Sequence, residues 1–200
     1  MENTPEALFE NEEKMPKNGL IETILMIINK ILDYTSTLEQ KMPSIFDENK
    51  DIQNECDSDK LNTSSSSNDE NVIFNDKNYT LHDYLYYWVD KLDFNENLLI
   101  LTMMNFDKFL SKNFILTPNN VKNVIFSCMV LTQKSNEDET IYDKDYAKIF
   151  KIKTDELINM ELEFLKIIDY RIHVSGEEFY NYKNRVVKIW KQNFSYFTFG

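Results

Sequence analysis

The chain has 200 residues, of which 42% are hydrophobic and 14% aromatic, enough to bury the core of one domain with accessory segments to spare. Its net charge of −12 argues against a nucleic-acid binder, because acid is spread along the chain and only Lys183 to Lys191 is locally basic. Two cysteines, three glycines and four prolines exclude a disulfide framework, a four-ligand zinc site built on cysteine, a glycine-rich phosphate loop and a turn-rich β-protein. Helices are therefore the default, in a reduced intracellular chain of the cytoplasm and/or nucleus.

Residues 1–19 are acidic and lack an apolar period, so they are expected to be disordered. Leu20, Ile21, Ile24, Leu25, Ile28, Ile31 and Leu32 then recur at helical spacing and predict a helix that docks on the main body. That stretch is too short to span a bilayer, and Glu22 and Lys30 interrupt it, so no membrane contact is expected. The N-terminal helix and its connector take up residues 20–46. Residues 47–72 carry Asp, Asn and Ser with almost no apolar side chain, including the run Ser64 to Ser67, and read as a solvated linker or insertion.

From Thr80 onward, helix starts are punctuated by Thr80, Asn95, Thr117, Thr154 and Ser175, each able to offer an N-cap oxygen to the free amides of a first turn. Pro118 fits a first helical position, and Ser175 with Glu178 has capping-box spacing. These signals predict helices over 81–92, 96–112, 118–134, 143–150, 155–168 and 176–192. Leu99, Met103, Phe106 and Leu110 form one stripe, and Val121, Val124, Ile125, Cys128 and Leu131 another, so these two helices should supply the middle of the core.

Glu161 breaks the pattern. It falls four residues after Leu157 and three before Phe164, inside the stripe of Leu157, Met160, Phe164, Leu165 and Ile168. A carboxylate there is desolvated at a cost of several kcal/mol unless it is partnered. Lys134, in the last turn of an earlier one-faced helix, is the natural counterpart, although a lysine there also simply complements the helix dipole. The functional reading is that both side chains enter a shared groove flanked by Leu131 and Leu165 and offer charge-assisted hydrogen bonds to a partner macromolecule. No catalytic constellation is expected: His82 and Asp83 are adjacent on a helix, His173 has no nucleophile or acid placed beside it by any motif, and no cofactor, metal or small-molecule substrate is implied.

Residues 73–174 resemble a cyclin box, and most of all that of the P/U-type cyclins, which include phosphate-response cyclins of fungi and plants. Glu156-Leu157-Ile158-Asn159-Met160-Glu161-Leu162-Glu163-Phe164-Leu165 is similar to that family's Glu-Leu-Asn, Glu, Phe-Leu signature. Tyr146-Ala147-Lys148-Ile149, the helix ending at Lys134, Asn105-Phe106-Asp107-Lys108-Phe109-Leu110 and Tyr84-Leu85 resemble further family elements in the same order. The resemblance implies an all-α fold with a single five-helix cyclin box, an added N-terminal helix, and a C-terminal helix and aromatic tail over 175–200. It also implies a partner, a serine/threonine cyclin-dependent kinase, gripped around its regulatory helix by Lys134 and Glu161 with Leu131, Leu165 and Ile172 as apolar contacts. The chain itself would do no chemistry. The family's arginine after Tyr-Leu is Tyr87 here, and its Asp-Arg pair is Asp107-Lys108. Two rival expectations are a cyclin-box scaffold of the general transcription factor kind, with no kinase partner, and an all-helical hydrolase whose motifs are not legible.

Overall fold

The computed structural model describes residues 15–36, 79–138 and 141–194. Residues 1–14 of the acidic N-terminus, the 47–72 linker with its serine run, and the aromatic tail after Phe194 lie outside the described residues. Within them the chain forms helices α1 (Lys17–Thr35), α2 (Leu81–Lys91), α3 (Glu96–Leu110), α4 (Val121–Asn136), α5 (Asp143–Phe150), α6 (Thr154–Ile167) and α7 (Gly176–Phe194), and no strand. The all-α expectation holds, and helix α1 begins at Lys17, ahead of the apolar stripe and inside the stretch expected to be disordered.

Local signals account for most helix starts. Thr80 and Asp83 form a reciprocal capping box, the Asn95 side chain accepts from the Leu98 amide at 2.9 Å, and Ser175 and Glu178 satisfy each other's backbone amides. Two predicted caps are corrected. Helix α4 starts at Val121 rather than 118, because the Asn120 side chain folds back, accepting from the Thr117 amide at 2.8 Å and donating to the Ile115 carbonyl at 3.1 Å. Thr117 and Pro118 thus belong to a turn leading into the helix. Thr154 is the first residue of α6, not its cap, and the cap position holds Lys153, whose side chain does not cap.

With so few glycines, the helices end on other residues in the left-handed region: Asp93, Asn113, Lys151, Asp169 and Tyr170 all have positive φ. At three of these ends a Schellman-type bond closes the turn, from the Phe94 amide to Val89, Ile152 to Ala147 and Tyr170 to Leu165. The resulting sharp reversals bring successive helices back against one another.

Helix α4 is the centre. From Asn123 to Gln133 every side chain is buried, and α3, α6 and α2 pack around it. Phe126 of α4 stacks on Phe150 of α5 at 4.2 Å, and Trp88 of α2 lies within about 5.3 Å of both rings. On another side Phe109 of α3 stacks on Phe164 of α6 at 4.5 Å. Cys128 is fully buried, its thiol donating to the Thr102 carbonyl at 3.2 Å, and burial pushes its pKa far up, so it is an inert core residue.

Helices α1 and α7 pack against each other and both touch α3. Glu22 of α1 accepts from the Tyr86 hydroxyl at 2.9 Å and lies 3.1 Å from His82 Nε2, fastening α1 to α2. A Cβ on Gly19 would sit 2.6 Å from Trp190 Nε1, so glycine is what allows α7 this close. Alanine normally stabilises a helix interior by about 1 kcal/mol relative to glycine. Gly19→Ala should do the opposite here, lowering stability by about 1–3 kcal/mol in a denaturant titration through the overpacked contact with Trp190.

Candidate functional site

The C-terminal turn of α4, the N-terminus of α5 and the middle of α6 converge on one ion-pair cluster. The Lys134 ammonium donates to both carboxylate oxygens of Glu161 at 2.7 Å and lies 2.5 Å from Asp143 Oδ1. Exposure grades outward: the Glu161 side chain is 11% accessible, Lys134 23% and Asp143 42%. The floor is Tyr146, wholly buried, whose ring centroid lies 5.5 Å below the ammonium. Its hydroxyl donates to Gln133 Oε1 at 3.1 Å, and Gln133 in turn donates to the Leu92 carbonyl at 2.8 Å. That chain of bonds fixes the end of α4 against α5 and the end of α2, so the lysine stands on a rigid platform. Burial pushes the Tyr146 phenol up to about 12, so it remains a neutral donor.

Burial raises the Glu161 carboxyl above its ordinary range; the hydrogen bonds and charge of Lys134 oppose that shift and Asp143 reinforces it. The structure therefore brings Lys134 and Glu161 together and gives the glutamate its counterpart within the chain, where the groove reading offers both charges to a partner. In the free chain that counterpart is Lys134 itself. The reason is geometric, since α4 and α6 pack directly and a lysine one turn beyond Leu131 reaches across the gap.

The apolar neighbours divide. Leu131, one turn before Lys134, is buried in the core, whereas Leu165 is half-buried rather than part of the core stripe. The buried face of α6 is Leu157, Met160, Glu161 and Phe164, continued by Ile168. Ile158, Leu162 and Leu165 follow at four- and three-residue steps, making a second apolar stripe beside the first, with Ile158 and Leu162 exposed. Glu161 sits on the boundary between the dry stripe and the open one. Ile172 lies in the segment after α6 and is half-buried. That segment is held by Lys108, which donates to the Arg171 carbonyl at 3.1 Å and the His173 carbonyl at 3.0 Å. Lys108 thus serves the backbone, while the neighbouring Asp107 accepts from Tyr182 of α7 at 2.7 Å.

Asp143 and the open stripe were missed at sequence level. Asp143 carries an ordinary first-turn signal, an acid at a helix N-terminus, and nothing local says that its carboxylate meets a lysine from another helix. The spacing of Ile158, Leu162 and Leu165 could have shown the second stripe, but it overlaps the first. His82 lies 3.8 Å from Asp83 and 3.1 Å from Glu22, in a surface contact of α1 with α2. Among the described residues no group of three or more His, Cys, Asp or Glu is placed to hold a metal ion, and no helix is long and apolar enough to cross a membrane.

A helical box built round a buried central helix, with a lysine and a glutamate paired across its α4 and α6, defines the cyclin-box class. The profile of the family described as "Cyclin, N-terminal domain" matches residues 36–173, more than half of the chain. The chain belongs to that family. It is 26% identical over 88 residues to Cyclin-U2-1 of Arabidopsis thaliana, covering 43% of this chain and 40% of that protein. It is 30% identical over 77 residues to PHO85 cyclin-7 of Saccharomyces cerevisiae, covering 38% of this chain and 27% of that protein. Cyclin-U2-2 of Arabidopsis thaliana matches at 25% over 88 residues, 43% of this chain and 38% of that protein. These are P/U-type cyclins, and each match spans less than half of the relative's own length.

Proposed function

We propose that the chain is a non-enzymatic regulatory subunit that docks on a serine/threonine cyclin-dependent kinase and holds it in its active conformation. Family membership and the kinship with a protein named as a PHO85 cyclin support the partner class. The observation that carries the placement is the Lys134–Glu161 pair at the edge of the exposed stripe of Ile158, Leu162 and Leu165. A largely buried ion pair whose outer edge is bordered by exposed apolar side chains suits protein docking: the apolar stripe loses water on contact, and the charges fix the register. Leu131, buried one turn before Lys134, backs the end of α4, Leu165 belongs to the contact stripe, and Ile172 extends the surface beyond the end of α6. The mechanism is a population shift, in which binding energy on this face favours the kinase conformation whose catalytic parts are ordered.

The double substitution Lys134→Ala with Glu161→Ala tests this in the full chain. Kinase binding and activation should fall by about 100-fold or more, the scale of losing a central charged cluster from an interface. The circular dichroism spectrum should remain that of the wild type. Undiminished activation by a folded double variant would refute the placement.

A further inference from the structure

We propose that Lys108 is a positioning residue of the docking face: from α3 it ties the segment that carries Ile172 to the part of α4 that carries Lys134. This rests on the docking reading above and names what sets the spacing between the two ends of that surface. The Ile172 segment needs such a device, because it lies between α6 and α7 and belongs to no helix. A stretch without a helical ladder of its own must be ordered from outside, or the cost of ordering it falls on the complex. Lys108 supplies that order on both flanks of Ile172, donating to the Arg171 carbonyl at 3.1 Å and to the His173 carbonyl at 3.0 Å.

An ammonium has three protons, and the third acceptor within reach of Lys108 is Asn105 Oδ1 at 3.4 Å. The Asn105 amide group in turn donates to Thr132 Oγ1 of α4 at 3.1 Å. Asn105 and Thr132 are both buried, so water does not compete for this bond. Thr132 stands two residues before Lys134. One chain of hydrogen bonds therefore runs from the two carbonyls beside Ile172, through Lys108 and Asn105 on α3, to the last turns of α4. Lys108 itself is half-buried, and desolvation lowers its pKa against the opposing charge of Glu178. Lys112, one turn further along α3, pairs with Asp169 at 2.6 Å, but both side chains are exposed and their attraction is screened, so this second tie adds little. A partner that covers Ile172 and also meets the ion pair must match the distance between them. The relay holds that distance before the partner arrives.

The experiment measures binding of a purified cyclin-dependent kinase to the full chain as wild type, Lys108→Met, Ile172→Ala and the two substitutions together. Methionine keeps the flexible apolar stem and removes every donor. Each single change should weaken binding about 5- to 10-fold, and the pair should fall no more than about 2-fold below Ile172→Ala, since a loosened backbone has no apolar anchor left to misplace. Lys108→Arg keeps a cationic donor and should recover most of the lost affinity. Thermal melts report whether each variant is folded. Should Lys108→Met fail to fold, Thr132→Val cuts the same chain at its α4 end and should weaken binding about 2- to 5-fold. Losses that multiply in the pair, or unchanged affinity in Lys108→Met, Ile172→Ala or Thr132→Val, would overturn the proposal, and loss of binding in the Lys134→Ala, Glu161→Ala variant would then still leave the docking face in place. Failure of the wild type to bind any kinase of this class would instead remove the docking reading itself, and the role of Lys108 with it.

Discussion

Lys134→Ala alone is expected to destabilise the free chain by about 1–3 kcal/mol, more than the double substitution that also removes Glu161, because truncating one member leaves a largely buried carboxylate without its cation. Asp143 cannot compensate, since it bears the same sign and already raises the Glu161 pKa. The pH dependence follows from the direction of that shift. An acid whose pKa is higher in the folded than in the unfolded state holds more protons when folded, so its contribution favours folding at low pH and is lost as pH rises through the folded pKa. Removing Lys134 removes the cation that restrains this shift. The stability gap between Lys134→Ala and the wild type should therefore be widest at neutral pH and narrow on acidification through the carboxylate range, where protonated Glu161 needs no counter-charge. Urea titrations of wild type, both single variants and the double variant at pH 5 and pH 7 measure this directly. A gap that stays constant with pH would mean that the pair is too well solvated to matter.

Trp88→Ala should be the most damaging core change, costing about 3–5 kcal/mol. Trp88 is buried at 1% exposure and fills the space between α2, α4 and α5, touching the stacked pair of Phe126 and Phe150. Since a domain's whole stability is about 5–15 kcal/mol, that loss is a large share of the total and should lower the melting temperature by roughly 10 °C or more. The effect also reaches the docking cluster. Phe150 is the last residue of α5 and Asp143 its first, so a cavity beneath one end of this short helix loosens the carboxylate at the other. Trp88→Phe should recover part of the stability and most of the binding. Full retention of the melting temperature by Trp88→Ala would contradict the packing described here.

Helix order and the two helices at the middle of the core, α3 and α4, were legible because apolar spacing and side-chain caps act within one or two turns. Asn95, Thr80 with Asp83, and Ser175 with Glu178 cap as their spacing requires. The start of α4 was not legible at Thr117, because the Asn120 side chain accepts from the Thr117 amide and donates to the Ile115 carbonyl, holding the residues before Val121 in a turn. In the site, Glu161 announced itself as a charge in an apolar stripe, and Lys134 was the cation it meets. What the sequence could not supply was the distance between α4 and α6, which turns two charges for a partner into a pair already formed. Nor could it supply Asp143, whose contact with Lys134 depends on how three helix ends converge. Leu165 is half-buried against the core at the edge of the stripe, where a period alone does not separate edge from core.

The docking face is tested most directly by amide hydrogen exchange of the chain alone and bound to a cyclin-dependent kinase. Protection should appear over residues 131–136, 141–146 and 158–172, the end of α4, the start of α5 and the open side of α6 with the segment after it. Protection confined to α1 and α7, with exchange over 158–172 unchanged on binding, would place the kinase elsewhere and contradict the role given to Lys134 and Glu161.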